Sequence, residues 1–164
     1  MSMIGNFLAV SPEKLESLID DPDQITSLLY PGDDDAVLPN YLDIDKAWHA
    51  IHFTLNGKAW EGESPLFDVI LGGEEIGEDI GYGPARYLTA AKVKSVAATL
   101  ACITPEKFKE QFNPKALDAA QIYPENWVRD GDEGLEYVLD YYKQLQSFYQ
   151  AAAERGDAAL LYIN

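Results

Sequence analysis

A chain of 164 residues that is 47% hydrophobic, with three tryptophans, ten tyrosines and six phenylalanines, has enough apolar material for one domain with a real core and is not a disordered segment. Its formal net charge of −16 argues against nucleic-acid binding, which rests largely on Lys and Arg against phosphate. The single cysteine, Cys102, excludes an internal disulfide and a cysteine-rich zinc site, and no apolar run approaches the roughly 18 residues of a membrane span.

The charge is uneven. Residues 1–80 carry 17 acids and 3 bases, whereas residues 81–164 carry 11 acids and 9 bases. The first half is therefore the negative side and can steer a basic protein partner, although acidity also serves solubility alone. The opening residues have no basic n-region and no long apolar h-region, so no signal peptide is expected. With no span and no disulfide, the expectation is a soluble, cytoplasmic protein with no membrane partner.

In chain order, residues 3–10 read as a strand. Ser11-Pro12-Glu13 then starts a helix, with Ser at the N-cap and Pro at the first helical position, carrying Leu15, Leu18 and Ile19. Asp21-Pro22-Asp23 restarts a short helix with Ile25, Leu28 and Leu29. Pro31-Gly32-Asp33-Asp34-Asp35 reads as a solvated acidic turn, since no twelve-residue calcium loop follows.

Residues 43–57 read as a complete helix. Asp43 and Asp45 are N-cap candidates and Gly57 is the C-cap. Ile44, Trp48, Ile51 and Leu55 form its apolar stripe. Asp45, His49 and His52 fall within a wedge of roughly 60° beside that stripe, at 100° per residue.

An exposed turn over 57–63 follows, and Ser64-Pro65 opens a short helix through Leu71. Residues 72–84 are glycine-dense but match neither a P-loop nor a dinucleotide fingerprint. They read as a surface loop, with the alternative that the loop presents Tyr82 and Arg86 to a pocket. Residues 82–88 read as extended. Thr89 caps a helix over 90–103; Cys102 lies off its Val93/Val96/Ala97/Leu100 stripe and reads as an inert thiol. Thr104-Pro105 and Asn113-Pro114 repeat the cap-plus-proline signal for two short helices. An aromatic connection with Tyr123 and Trp127 leads to the longest helix, 132–155, which Gly156 stops. Residues 158–163 read as a final strand. The sum is α+β, a single helix-predominant domain over 1–164 with a small sheet that includes the N- and C-terminal strands, their pairing closing the domain.

These pieces also carry a resemblance. The Met3-Ile4-Gly5 start, the run from Leu42-Asp43-Ile44-Asp45 through Trp48-His49-Ala50-Ile51-His52-Phe53, then Tyr82-Gly83-Pro84-Ala85-Arg86-Tyr87, Ile122-Tyr123-Pro124 and Glu154-Arg155-Gly156-Asp157-Ala158 occur in that order over nearly the whole chain. The pattern resembles the YfbM-like family, the domain of unknown function 1877. The resemblance implies a compact single-domain bacterial α+β protein. It carries no catalytic residue, because the family has no established activity.

Three readings of the histidine helix follow. Asp45, His49 and His52 can supply three metal ligands from one face, but His-x-x-His lacks the Glu and the i, i+4 spacing of a zinc-protease helix, so no metal and no cofactor are assigned. In an acid–base reading His52 is the base, Asp45 orients it, and Arg86 or Tyr82 holds an anionic group. In a structural reading Trp48 and His52 pack against the sheet and the imidazole is hydrogen-bonded internally. An enzyme is expected to show a pocket where His52, Arg86, Tyr82 and Trp127 converge. An interaction protein, the favoured class, is expected to show an acidic face with exposed aromatic anchors.

Overall fold

The two ends of the chain meet in the middle of a sheet. In the computed structural model, which describes residues 2–32 and 38–164, strand β1 (Gly5–Val10) runs antiparallel to β5 (Ala158–Ile163). The register is unbroken from Gly5 opposite Ile163 to Val10 opposite Ala158. The acidic turn at Asp33-Asp34-Asp35 lies outside the described residues. Three further strands complete the sheet: β2 (Tyr41–Asp43), β3 (Glu74–Asp79) and β4 (Pro84–Leu88), in the order β2-β1-β5-β4-β3 with every pair antiparallel.

Both faces of the sheet are covered, which is why β1 and β5 are apolar runs rather than alternating sequences. Phe7, Ala9, Ala159 and Leu161 point to the larger core, and Leu8, Val10, Leu160 and Tyr162 to the smaller one. The smaller core is closed by helices α1 (Pro12–Asp20) and α2 (Gln24–Leu29) through Leu15, Leu18, Ile25 and Leu29. The larger core is closed by α3 (Trp48–Asn56), α4 (Ala90–Ala101), α5 (Pro105–Gln111), α6 (Pro114–Ala119) and α7 (Trp127–Arg155). The longest, α7, threads this layer with Val138, Tyr142, Leu145, Tyr149 and Ala152 buried at helical spacing. Burying a side chain of that size contributes about 1.5–3 kcal/mol. No described helix is long and apolar enough to cross a membrane.

The predicted caps are present. Ser11, Thr89, Thr104 and Asn113 each accept a backbone N–H three residues on. Elsewhere tertiary pairing overrides local signals. Asp43 belongs to β2, drawn in by pairing with Asn6, and its carboxylate accepts the Asp45 N–H at 2.6 Å. Residues 45–47 form a single 3-10 turn, and α3 begins at Trp48 behind Ala47, which has no capping side chain. The helix expected over 64–71 is a single 3-10 turn, Phe67–Val69. The glycine-dense segment contains a strand, β3, held by β4 with a register shift between Ile76 and Asp79. The long helix starts at Trp127, five residues before the sequence signal, and is interrupted at Gly131, whose φ of 53 and ψ of −127 are not helical.

Candidate functional site

The histidine helix approaches the sheet closely. A Cβ built on Gly5 lies 2.9 Å from Trp48 Cβ and 3.1 Å from Ile44 Cγ1, so any larger residue at this point would force β1 and α3 to shift apart. The Trp48 indole N–H donates to the Met3 carbonyl at 2.9 Å, and the Met3 N–H donates to the Tyr123 hydroxyl at 3.0 Å. The start of the chain, α3 and the loop before α7 are thus bound together.

His49 and His52 are 2% and 0% exposed. The Nε2–H of His49 donates to the Ala59 carbonyl at 2.9 Å, and its Nδ1 accepts the Tyr123 N–H at 2.9 Å. The second contact fixes the tautomer, because a backbone N–H can only donate. His52 donates from Nε2 to the Glu61 carbonyl at 3.1 Å, and the Asn56 amide lies 3.4 Å from its Nδ1. That same amide donates to the carbonyls of His52 and Leu66. Burial lowers the pKa of both rings, and takes His52 to about 4, against the partial support of the carbonyls of Ala59 and Glu61. Both imidazoles are neutral at pH 7 and fasten the loop over 57–63 to α3.

That loop carries Trp60. Its ring packs on His49 with centroids 4.4 Å apart and on Trp48 at 6.2 Å, while His49 stacks on Trp48 at 4.9 Å and Trp48 on Tyr123 at 5.9 Å. Trp60 is nonetheless 61% exposed. Glu61 and Glu63 beside it are exposed, as is Lys58, which pairs with Glu61 at 3.8 Å.

Asp45 is turned away from the histidines. Its Oδ2 accepts the Tyr137 O–H at 2.7 Å, and the Tyr137 oxygen accepts the Lys46 N–H at 3.0 Å. Burial and then the Asp45 hydrogen bond push the Tyr137 phenol well above its ordinary pKa. Asp45 and Trp127 line one notch of about 410 Å³ together with Pro124, Asp130, Glu133 and Tyr137. Trp127 is buried as its floor, donating its indole N–H to Ile122 and its backbone N–H to Asp118 Oδ1 at 2.8 Å. Backbone turns with positive φ at Asp45, Glu125, Asn126 and Gly131 shape the surroundings of the notch.

Arg86 lies elsewhere. Its Nη1 donates to the carbonyls of Ile70 and Gly72 at 2.9 and 2.7 Å, and burial pulls its pKa down from the guanidinium value. Tyr149 secures the same turn by donating to the Val69 carbonyl at 2.7 Å. Tyr82 is exposed beyond the end of β3, with its backbone N–H donating to Ile163. Among the described residues no hydrogen bond or ring contact joins His52 to Arg86, Tyr82 or Trp127. Nor is any group of three or more His, Cys, Asp or Glu residues placed to hold a metal ion, among the described residues.

Trp60, Tyr137 and Asp118 have no place in the site expected from the sequence, and Tyr123 enters it only as part of an aromatic connection. Only Trp60 left a signal, as a lone tryptophan beside acids in a turn already read as exposed.

The fold and the site define an α+β protein with a five-stranded antiparallel sheet between two helical layers, whose paired histidines serve loop fastening. It belongs to the family described as Domain of unknown function (DUF1877), whose model matches residues 1–162. Protein YfbM of Escherichia coli (strain K12) is 29% identical over 172 residues, an alignment that covers 99% of each chain. The crystal structure of YfbM from Escherichia coli, titled as a protein of unknown function, shares the fold with a TM-score of 0.75 at 24% identity, covering 98% of this chain and 99% of that one.

Proposed function

We propose that this is a binding protein that takes a basic protein partner on the face built by α3 and the loop over 57–63. The observation that carries the reading is Trp60. A large aromatic ring that is 61% exposed, yet held by His49 and Trp48, presents apolar area already ordered before binding. Tryptophans in such settings supply a disproportionate share of interface energy. Glu61 and Glu63 follow the ring in the same exposed loop, with Lys58 paired to Glu61, and the notch beyond Tyr123 adds Asp45, Asp130 and Glu133 with Lys46 as the one base among its lining residues. Acidic groups around an aromatic anchor suit a cationic surface and raise the encounter rate. A cytoplasmic setting belongs to the same proposal and rests on the composition, with its single cysteine.

An acid–base or metal enzyme centred on His52 draws less support. Both ring nitrogens of His49 are engaged by backbone, and His52 is buried against Glu61 and Asn56. A base needs a lone pair within reach of substrate.

The test is capture from a native lysate of the source organism at low and high salt, with the natural chain and with Glu61→Gln/Glu63→Gln. A partner held at low salt, released at high salt and weakened by the charge-neutral variant supports the reading. No partner at either salt, or capture indifferent to salt and to the variant, overturns it.

A further inference from the structure

A cavity of about 610 Å³ lies between α4 and α7 and includes none of the residues discussed as the site above. Ala97, Ala98, Leu100 and Ala101 of α4 and Ala153 of α7 line it with apolar surface, and Gln146, Ser147 and Gln150 of α7 add polar groups along one side. The two helices run antiparallel here. Tyr142 donates its O–H to the Ile103 carbonyl at 2.6 Å, and the Gln146 amide donates to the carbonyls of Leu100 and Ile103 at 2.9 Å each. These bonds clamp the end of α4 to the middle of α7. Beyond the clamp, the short alanine side chains of α4 leave a trough between the helices whose exposed surface is more apolar than polar.

The ends of the trough are charged differently. Lys143 stands at the clamped end, and the lining residues there include no acid. Lys143 also borders an adjoining cavity of about 480 Å³, whose other charged lining residue is Arg155. Lys94 stands at the far end with Glu154, where the charges offset. Neither lysine takes part in an ion pair among the described residues. A locally positive end on an apolar trough is set within a chain of net charge −16. The twelve residues of α7 from Lys143 to Glu154 span about 16 Å, and the cavity volume falls in the range of small-molecule sites, so the space is long enough for an extended tail, more apolar than polar in its exposed surface, and cationic at the Lys143 end.

The geometry points to a ligand site for an unbranched aliphatic carboxylate, its anionic head at Lys143 and its tail lying along Ala97, Ala101 and Ala153 between α4 and α7. The head gains a charge-assisted contact from a lysine without a competing carboxylate. The tail removes apolar surface of both helices from water.

The test uses the full chain and three probes of one tail length: decanoate, decanol and decyltrimethylammonium. Binding is followed by calorimetry and by amide NMR shifts. Decanoate is expected to bind best and to move the amides of α4 and α7 around Ala97, Ala101 and Ala153. Its affinity is expected to rise by up to about fourfold per methylene from hexanoate to decanoate, the value for full burial of each group. Lys143→Gln is expected to weaken decanoate about tenfold while leaving decanol unchanged. Ala101→Leu, at an exposed position that tolerates the larger side chain, is expected to block all tails without lowering the melting temperature. Preference for the cationic probe, indifference to Lys143→Gln, shifts elsewhere in the chain, or no binding at millimolar decanoate each overturns the assignment. So does self-association that Ala101→Leu abolishes and decanoate leaves untouched, which gives the trough to a second copy of the chain.

Discussion

Nδ1 of His49 accepts the backbone N–H of Tyr123 across 74 positions of sequence, at 2.9 Å. The opposite nitrogen of the same ring donates to Ala59, one residue before Trp60. One neutral imidazole therefore sets the loop that presents the exposed tryptophan against the loop that leads into the acidic notch. Protonation would give Nδ1 a hydrogen and turn an acceptor into a donor facing a donor.

Stability is expected to fall in mild acid. Burial depresses the folded-state pKa of both histidines, that of His52 from 6.5 to about 4. The unfolded chain then binds more protons than the folded one between these values, so stability is full above the unfolded pKa and is lost as pH falls from about 6.5 toward 4. His52 contributes a slope of up to about 1.4 kcal/mol per pH unit inside that window, and His49, lowered as well, adds to it in the same direction. Urea denaturation at a series of pH values measures the slope, and imidazole NMR shifts that stay those of the neutral ring down to pH 5 identify its source. Ordinary titration of His52 near 6.5 contradicts the account.

His49→Ala is expected to cost about 2–3 kcal/mol, because it leaves the Tyr123 N–H without its acceptor and the Ala59 carbonyl without its donor. Trp60→Ala is expected to change stability by under about 1 kcal/mol, since most of that ring already faces water. The urea midpoints of the two variants, measured side by side, separate a structural residue from one kept for contact with something else.

Gly5→Ala tests the close approach of β1 and α3. The added methyl meets Trp48 Cβ at 2.9 Å, a backbone-proximal atom that cannot swing aside. A cost of about 1–3 kcal/mol is expected, as for overpacking elsewhere, with a lowered melting temperature and altered tryptophan fluorescence.

Removal of residues 160–164 is expected to abolish cooperative folding. Strand β5 is the central partner of both β1 and β4, so the truncation unpairs the sheet on two sides. A native-like thermal transition in the truncated chain, followed by far-ultraviolet circular dichroism, contradicts this.

Much of this architecture is visible in the residues themselves. Ser11, Thr89, Thr104 and Asn113 mark helix starts by chemistry that acts within three residues, and the α7 stripe repeats over many turns. The two apolar terminal runs announce a buried pair. The edge strands are less visible. β2 has only three residues and exists by pairing with Asn6, Phe7 and Leu8. β3 carries Glu74, Glu75, Glu78 and Asp79 and buries Ile76 alone, the polar habit of an edge that reads as a loop. At the site, the spacing of Asp45, His49 and His52 is plain, but their use is not. The partners of the imidazoles are the carbonyls of Ala59 and Glu61 and the N–H of Tyr123, and backbone groups leave no mark in a sequence. Asp45 is taken by Tyr137, 92 positions away, and Arg86 by the carbonyls of a turn.

On the proposed reading, the histidine helix holds Trp60 out for a partner. The most direct measurement is quantitative capture from native lysate at low salt by the natural chain and by Trp60→Ala, with the melting temperatures of both recorded. The salt-sensitive partner is expected to be lost from Trp60→Ala while the melting temperature stays within a few degrees. Undiminished capture by a folded Trp60→Ala chain would contradict it.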